Sequence, residues 1–192
     1  GATALVGVVC FVTLYRPVLV SKSHLDALKF GAADEARRAG SIESAVAADP
    51  RFDEAASQMA ALRFEQWSRR PNEVSRRALD AAIGEMPRLA PRSAAIHAQA
   101  ARWRNEIFHK TKDESDAMAA AEAWREVVRR YPNNASHRAE LALALRSAGR
   151  NAEALEEARR ALDLDEIMTA AGHEDRFLSS ERKDQLMRMT KS

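Results

Sequence analysis

The sequence predicts an all-α protein, a solenoid of antiparallel helix pairs behind one apolar helix. Three observations predict it. Pro50, Pro91 and Pro132 recur every 41 residues, each closing a helical stretch and each followed by an alanine-rich amphipathic run. A repeat of that period signals stacked helix pairs. Only seven Gly and six Pro interrupt 192 residues rich in Ala, Glu, Arg and Leu, which are good helix formers. The 30 basic and 28 acidic residues are interspersed, as in Glu156-Glu157-Ala158-Arg159-Arg160. That pattern belongs to solvated helix faces and excludes a basic stripe for nucleic acid. The single cysteine, Cys10, excludes an internal disulfide.

The elements follow in order. Gly1 to Tyr15 (GATALVGVVCFVTLY) carries no charge, and Val18-Leu19-Val20 resumes the apolar run after Arg16 and Pro17. We expect a transmembrane helix over residues 1–21. Fifteen uncharged residues fall slightly short of the roughly 20 that a span needs, which a start truncated upstream of Gly1 explains. Tyr15 and Arg16 suit the lipid–water interface. A signal peptide would show a basic region before the apolar stretch, and a core helix would show a polar stripe. The flanking Arg16, Lys22, Lys29, Arg37 and Arg38 favour a cytoplasmic following domain. The expected location is a bacterial inner membrane, with the side of the repeat domain left open.

Residues 22–50 read as a linker and an N-terminal capping helix, Ala32 to Ala48. Three helix pairs are expected over 51–168. The first pairs Phe52–Arg69 with Asn72–Met86 across a turn at Arg70-Pro71. The second pairs Ser93–His109 with Glu114–Tyr131 across Thr111-Lys112-Asp113. The third pairs Asn134–Ser147 with Asn151–Leu164 across Ala148-Gly149-Arg150. Gly149 suits a left-handed residue ending one helix, and Asn151 an N-cap starting the next. Pro87 should kink or end its helix near Met86. Residues 169–192 should form a C-terminal capping helix, N-capped by Ser180 and carrying Leu186, Met187 and Met189.

Packing positions recur with the same period. Ten residues past each proline stand Ala60, Ala101 and Ala142, small where two helices cross. The second helices pack through Ile83 and Met86, Trp124 and Val127, and Ala158 and Ala161. Ala135, at the start of the third pair, should face solvent. In that pair Leu141, Ala142, Leu145, Gly149, Ala154, Ala158 and Ala161 fall at the spacing of a tetratricopeptide repeat. The stretch from Ala135 to Met168 therefore resembles that 34-residue unit, with Arg138 in place of its large residue and Glu166 in place of its closing proline. The earlier units carry seven extra residues, about two helical turns, so the apolar face drifts by only ~20°. The resemblance implies a TPR-like right-handed solenoid that holds a protein or peptide.

No catalytic residue, cofactor site or metal site is expected. The chain has no Gly-rich phosphate loop, no Gly-x-Ser-x-Gly and no cysteine pair. Glu106 and His109 have the Glu-x-x-His spacing of di-iron proteins, but that chemistry needs a second copy and further glutamates. His97 reads as a structural histidine. His173-Glu174-Asp175 reads as a solvated cluster, and Trp67, Trp103 and Trp124 as core. Arg102, Arg104, Arg129 and Arg130 form the most concentrated basic group, suited to an acidic peptide tail or a phosphorylated glycan carrier. The candidate partner-binding residues are Arg102, Arg104, His137 and Arg138.

A second resemblance lies at the junction. Cys10 to Leu19 (CFVTLYRPVL), followed by repeats that open with Ala47-Ala48-Asp49-Pro50, resembles the C-terminal end of O-antigen ligase/polymerase-like membrane glycosyltransferases. That resemblance implies a non-catalytic tail whose catalytic body lies upstream. The leading expectation is a membrane-tethered interaction module without a reaction of its own. The alternatives are that tail, or a soluble self-associating helical scaffold.

Overall fold

The computed structural model describes residues 6, 8–31, 35–49, 52–172 and 178–191. Pro50 and the His173-Glu174-Asp175 cluster lie outside them, as does Ala32 at the expected start of the capping helix. The chain divides into two compact units, Gly1–Arg92 and Ser93–Ser192.

In the first unit a short π-helical stretch, Phe11–Tyr15, leads into α1 (Arg16–Gly31). Then come α2 (Glu35–Ala48), α3 (Asp53–Arg69) and α4 (Glu73–Leu89). Each helix packs on the next. Leu25, Ile42, Ala45, Ala55 and Leu62 form a buried cluster along α1, α2 and α3. Ion pairs reinforce the α2–α3 contact: Arg38 with Glu65 at 2.6 Å and Arg63 with Glu43 at 3.1 Å. Across the α3–α4 pair, the Arg76 guanidinium lies 5.6 Å from the Trp67 ring centroid. Asn72 and Ser75 cap α4 reciprocally: the Ser75 N–H donates to Asn72 Oδ1 at 2.9 Å and the Asn72 N–H to Ser75 Oγ at 3.3 Å. This capping box supplies two acceptors for the free N–H groups of the helix start.

Two expectations for this unit need correcting. Residues 22–31, read as linker, continue α1. Pro87 lies inside α4, which runs on to Leu89. It removes one backbone hydrogen bond to the preceding turn, and the buried Ile83 and Met86 hold the helix in register. No helix among the described residues is long and apolar enough to cross a membrane.

The second unit comprises α5 (Ala94–Thr111), α6 (Glu114–Arg130), α7 (Ala135–Ser147), α8 (Asn151–Ala170) and α9 (Ser180–Lys191). Side-chain caps start three of them. Ser93 Oγ accepts from Ile96 N–H, Asp113 Oδ1 from Ser115 N–H and Asn134 Oδ1 from His137 N–H. Between α5 and α6 the turn is made by Lys112 at φ 57°, with no glycine. The Thr111 hydroxyl steadies it, 2.7 Å from the buried Asp116 carboxylate and accepting the Asp113 N–H at 3.2 Å. After α7, Gly149 at φ 72° allows Arg150 N–H to reach Leu145 O at 2.9 Å and Gly149 N–H to reach Arg146 O at 3.0 Å. Those two bonds satisfy carbonyls at the helix end.

Two caps differ from expectation. The N-cap of α8 is Arg150, whose side chain makes no capping bond, and Asn151 is already helical. Ahead of α9, Ser179 supplies the capping hydroxyl to Arg182 N–H at 3.3 Å. The helix α8 also runs six residues past Leu164, because no proline stands where the repeat would close.

Small side chains set the helix spacing in this core. Ala101, Ala142, Ala158 and Ala161 are fully buried around Trp124, Val127, Leu141 and Leu145. An alanine at a crossing lets two backbones approach, so the large Trp124 can fill the space beside it. Ala135, expected at the surface, is only 4% exposed and belongs to this core. Leu178, Leu186 and Met189 extend the core under α9. The buried Asp165 fixes that helix, accepting Leu178 N–H at 2.7 Å and the Lys183 ammonium at 2.8 Å.

Candidate interaction groove

Helices α5, α7 and α9 together line one groove of the second unit, of about 700 Å³. The period places its walls: positions 102, 105 and 106 on α5 recur 41 residues later as 143, 146 and 147 on α7, and all six line the groove. Each set is spaced to share one helix face. Phe108 and Leu143 bring apolar surface, and Asn105, Ser147 and Gln185 bring hydrogen-bonding groups. Arg182 of α9 crosses to Glu140 of α7 at 2.5 Å. The volume is that of a ligand-sized pocket.

The four sequence-predicted candidates separate here. Arg102 is exposed and lines the groove, with its nearest polar partner Gln99 Oε1 at 3.4 Å. Arg104 is half-buried on the same helix and outside the groove lining. His137 turns toward the core, with its ring centroid 6.0 Å from that of Trp124 and 6.2 Å from that of Tyr131. Its Nδ1 is buried and has no hydrogen-bond partner among the described residues. Burial first, then the positive charge of Arg102, holds its pKa below the ordinary value. Arg138 is committed inside the fold. Its Nη1 donates to Glu157 Oε2 at 2.6 Å and its Nε to Pro132 O at 2.7 Å, with 14% of the side chain exposed.

Arg129 and Arg130, grouped with Arg102 on sequence, both turn to Glu126, at 2.8 and 2.6 Å. Their hydrogen bonds, led by that from Arg129, lower the Glu126 pKa to about 2. Helices α6 and α8 are joined by further pairs, Arg125 with Glu153 at 2.9 Å and Arg150 with Glu122 at 3.4 Å. Sequence reasoning missed Arg146, Phe108 and Leu143. The 41-residue spacing applied to the outer face of α5 would have found Leu143 and Arg146. Nothing in the sequence signals the Arg182–Glu140 contact, because α9 lies outside the repeat. Glu106 and His109 both line the groove, and no three His, Cys, Asp or Glu side chains among the described residues are grouped to hold a metal.

No family model matches the chain, and no curated protein matches it. Among solved structures it is similar to MamA protein, with a TM-score of 0.54 and 16% identity over 80% of this chain and 74% of that one. It also overlaps TTC0263, a thermophilic TPR protein in Thermus thermophilus, with a TM-score of 0.48 and 18% identity over 85% of this chain and 94% of that one. The fold is all-α and is shared with MamA. The O-antigen ligase resemblance rests on the Cys10–Leu19 junction and the order of segments alone.

Proposed function

We propose that the chain is a helical-repeat interaction module that holds a protein or peptide in the groove between α5, α7 and α9. The observation that carries this reading is the groove itself. Three helices present it, and its lining combines charged, hydrogen-bonding and apolar side chains. Such a surface gains affinity from a few anchors and many near-neutral contacts. The test is photocrosslinking in cells, with a reactive residue at Leu143 in the groove and, as control, at the exposed Met118 on α6. Discrete adducts at Leu143 and none at Met118 are expected. Equal labelling, or none at Leu143, overturns the reading.

A second reading concerns attachment to a bilayer, and one observation favours it. Val6, Val8, Val9, Phe11, Val12, Tyr15, Val18, Leu19 and Val20 are 38–64% exposed and lie on every side of the helix. A helix that is apolar all round needs an apolar environment, and Arg16 and Lys22 stand ready for anionic headgroups. On this reading residues 6–20 tether the chain to a bacterial inner membrane. The chain should float with anionic liposomes, and Val9→Asp with Val12→Asp should abolish flotation. A protein that stays in the aqueous fraction as a dimer supports the self-associating scaffold instead.

A further inference from the structure

The ion pairs of the second unit are unevenly distributed. On α6, at the N-cap of α8 and on α8, Arg125, Arg129, Arg130, Arg150 and Arg160 each meet a glutamate, while Arg159 of α8 is exposed. In the groove the Arg182–Glu140 pair is internally neutral. Arg102 and Arg146 face the same space, and among the described residues neither is paired with a carboxylate. Glu106 is the one other acidic side chain in the lining, which leaves the groove with one positive charge in excess. Arg102 is also close enough to His137 to disfavour its protonation.

We propose that the groove selects an acidic peptide segment that also carries an aliphatic or aromatic side chain. The acidic groups lie on Arg102 and Arg146, and the apolar side chain lies on Phe108 and Leu143. The guanidinium fork binds a carboxylate through two parallel charge-assisted hydrogen bonds, and a half-enclosed groove screens them less than open solvent does. The two arginines stand on different helices of one groove, so an extended segment carrying two acidic groups can engage both. This inference rests on the interaction-module reading and adds the chemistry of the partner.

The experiment is selection of a displayed library of random dodecamer peptides on the immobilised full chain, followed by fluorescence anisotropy of the winners. Enriched sequences should carry Asp or Glu together with Leu, Ile or Phe. Arg102→Glu and Arg146→Glu should each weaken binding about tenfold or more. Arg160→Glu, a charge reversal of equal size on α8, should leave binding within about twofold. Melting curves of the three variants exclude unfolding as the cause. Enrichment of basic or uncharged peptides overturns the inference, and so does an equal loss in Arg160→Glu. If such peptides still crosslink at Leu143, the interaction module stands and only its acidic preference falls. If nothing is enriched and nothing crosslinks there, both readings fall together.

Discussion

Arg138 and Glu157 meet at 2.6 Å across the α7–α8 contact, with only 14% and 13% of their side chains exposed. Arg160 shares the same carboxylate at 2.9 Å. Removing one partner leaves a charge in a poorly hydrated place, whereas removing both leaves none. Glu157→Leu should therefore cost ~2–4 kcal/mol, and Arg138→Met with Glu157→Leu distinctly less. Chemical denaturation of the two variants and the parent measures the difference. A double variant weaker than the single one contradicts the argument.

The His137 imidazole gives the second unit a dependence on pH. Burial and the Arg102 charge hold its pKa below the ordinary 6.5, so the unfolded chain takes up the proton first as pH falls. The stability linked to this group is fully present above that value and is lost as pH drops from there toward the lower, folded value. Ile96 stands 41 residues earlier, so the repeat accepts an aliphatic side chain at this position. In His137→Ile, the fall in melting temperature between about pH 7 and 5 should be shallower than in the parent. Parallel curves would show that other groups set the slope.

Ala142 has no exposed surface, and the Ala139, Leu141 and Leu145 side chains belong to the same buried cluster. Ala142→Trp overfills that space and should cost ~1–3 kcal/mol. Ser136, exposed on the same helix, is the control, and Ser136→Trp should change the melting temperature little. Similar melting of the two variants would refute the packing register.

Two glycines separate backbone from side-chain effects. A Cβ at Gly149 meets nothing within 4 Å, yet its φ of 72° is unfavourable for any L side chain. Gly149→Ala should cost ~1–2 kcal/mol through the backbone alone. Gly84, within α4, also has open space around a Cβ. Gly84→Ala should therefore stabilise by ~0.5–1 kcal/mol. Thermal unfolding of both variants should move in opposite directions.

Periodicity made the helices legible and left their ends less certain. Apolar spacing and the turn residues around Gly149 and Asp113 fix where α5 to α8 lie, because both are local signals. Pro87 misled because its missing N–H costs the helix a single bond, and the buried Ile83 and Met86 before it hold the helix through that loss. Ala135 misled because a position at a helix start is not thereby on the surface. Arg138 shows the limit for the groove. Sequence places its charge on a helix face, but only the neighbouring helix decides whether Glu157 has already taken it. Arg102 was recoverable because it is both basic and exposed, and Arg182 was not, because its partner Glu140 is 42 residues away.

Asp165 gives the chain a defined order of failure under tension. Its two oxygens hold the backbone of Leu178 and the ammonium of Lys183, and beyond them α9 is kept by the buried Leu186 and Met189 and by the Arg182–Glu140 bridge. A force drawn through the C-terminus loads those few links before it reaches the alanine-lined crossings of α7 and α8. The helix α9 peels away first, and the groove loses one wall while the other two remain standing.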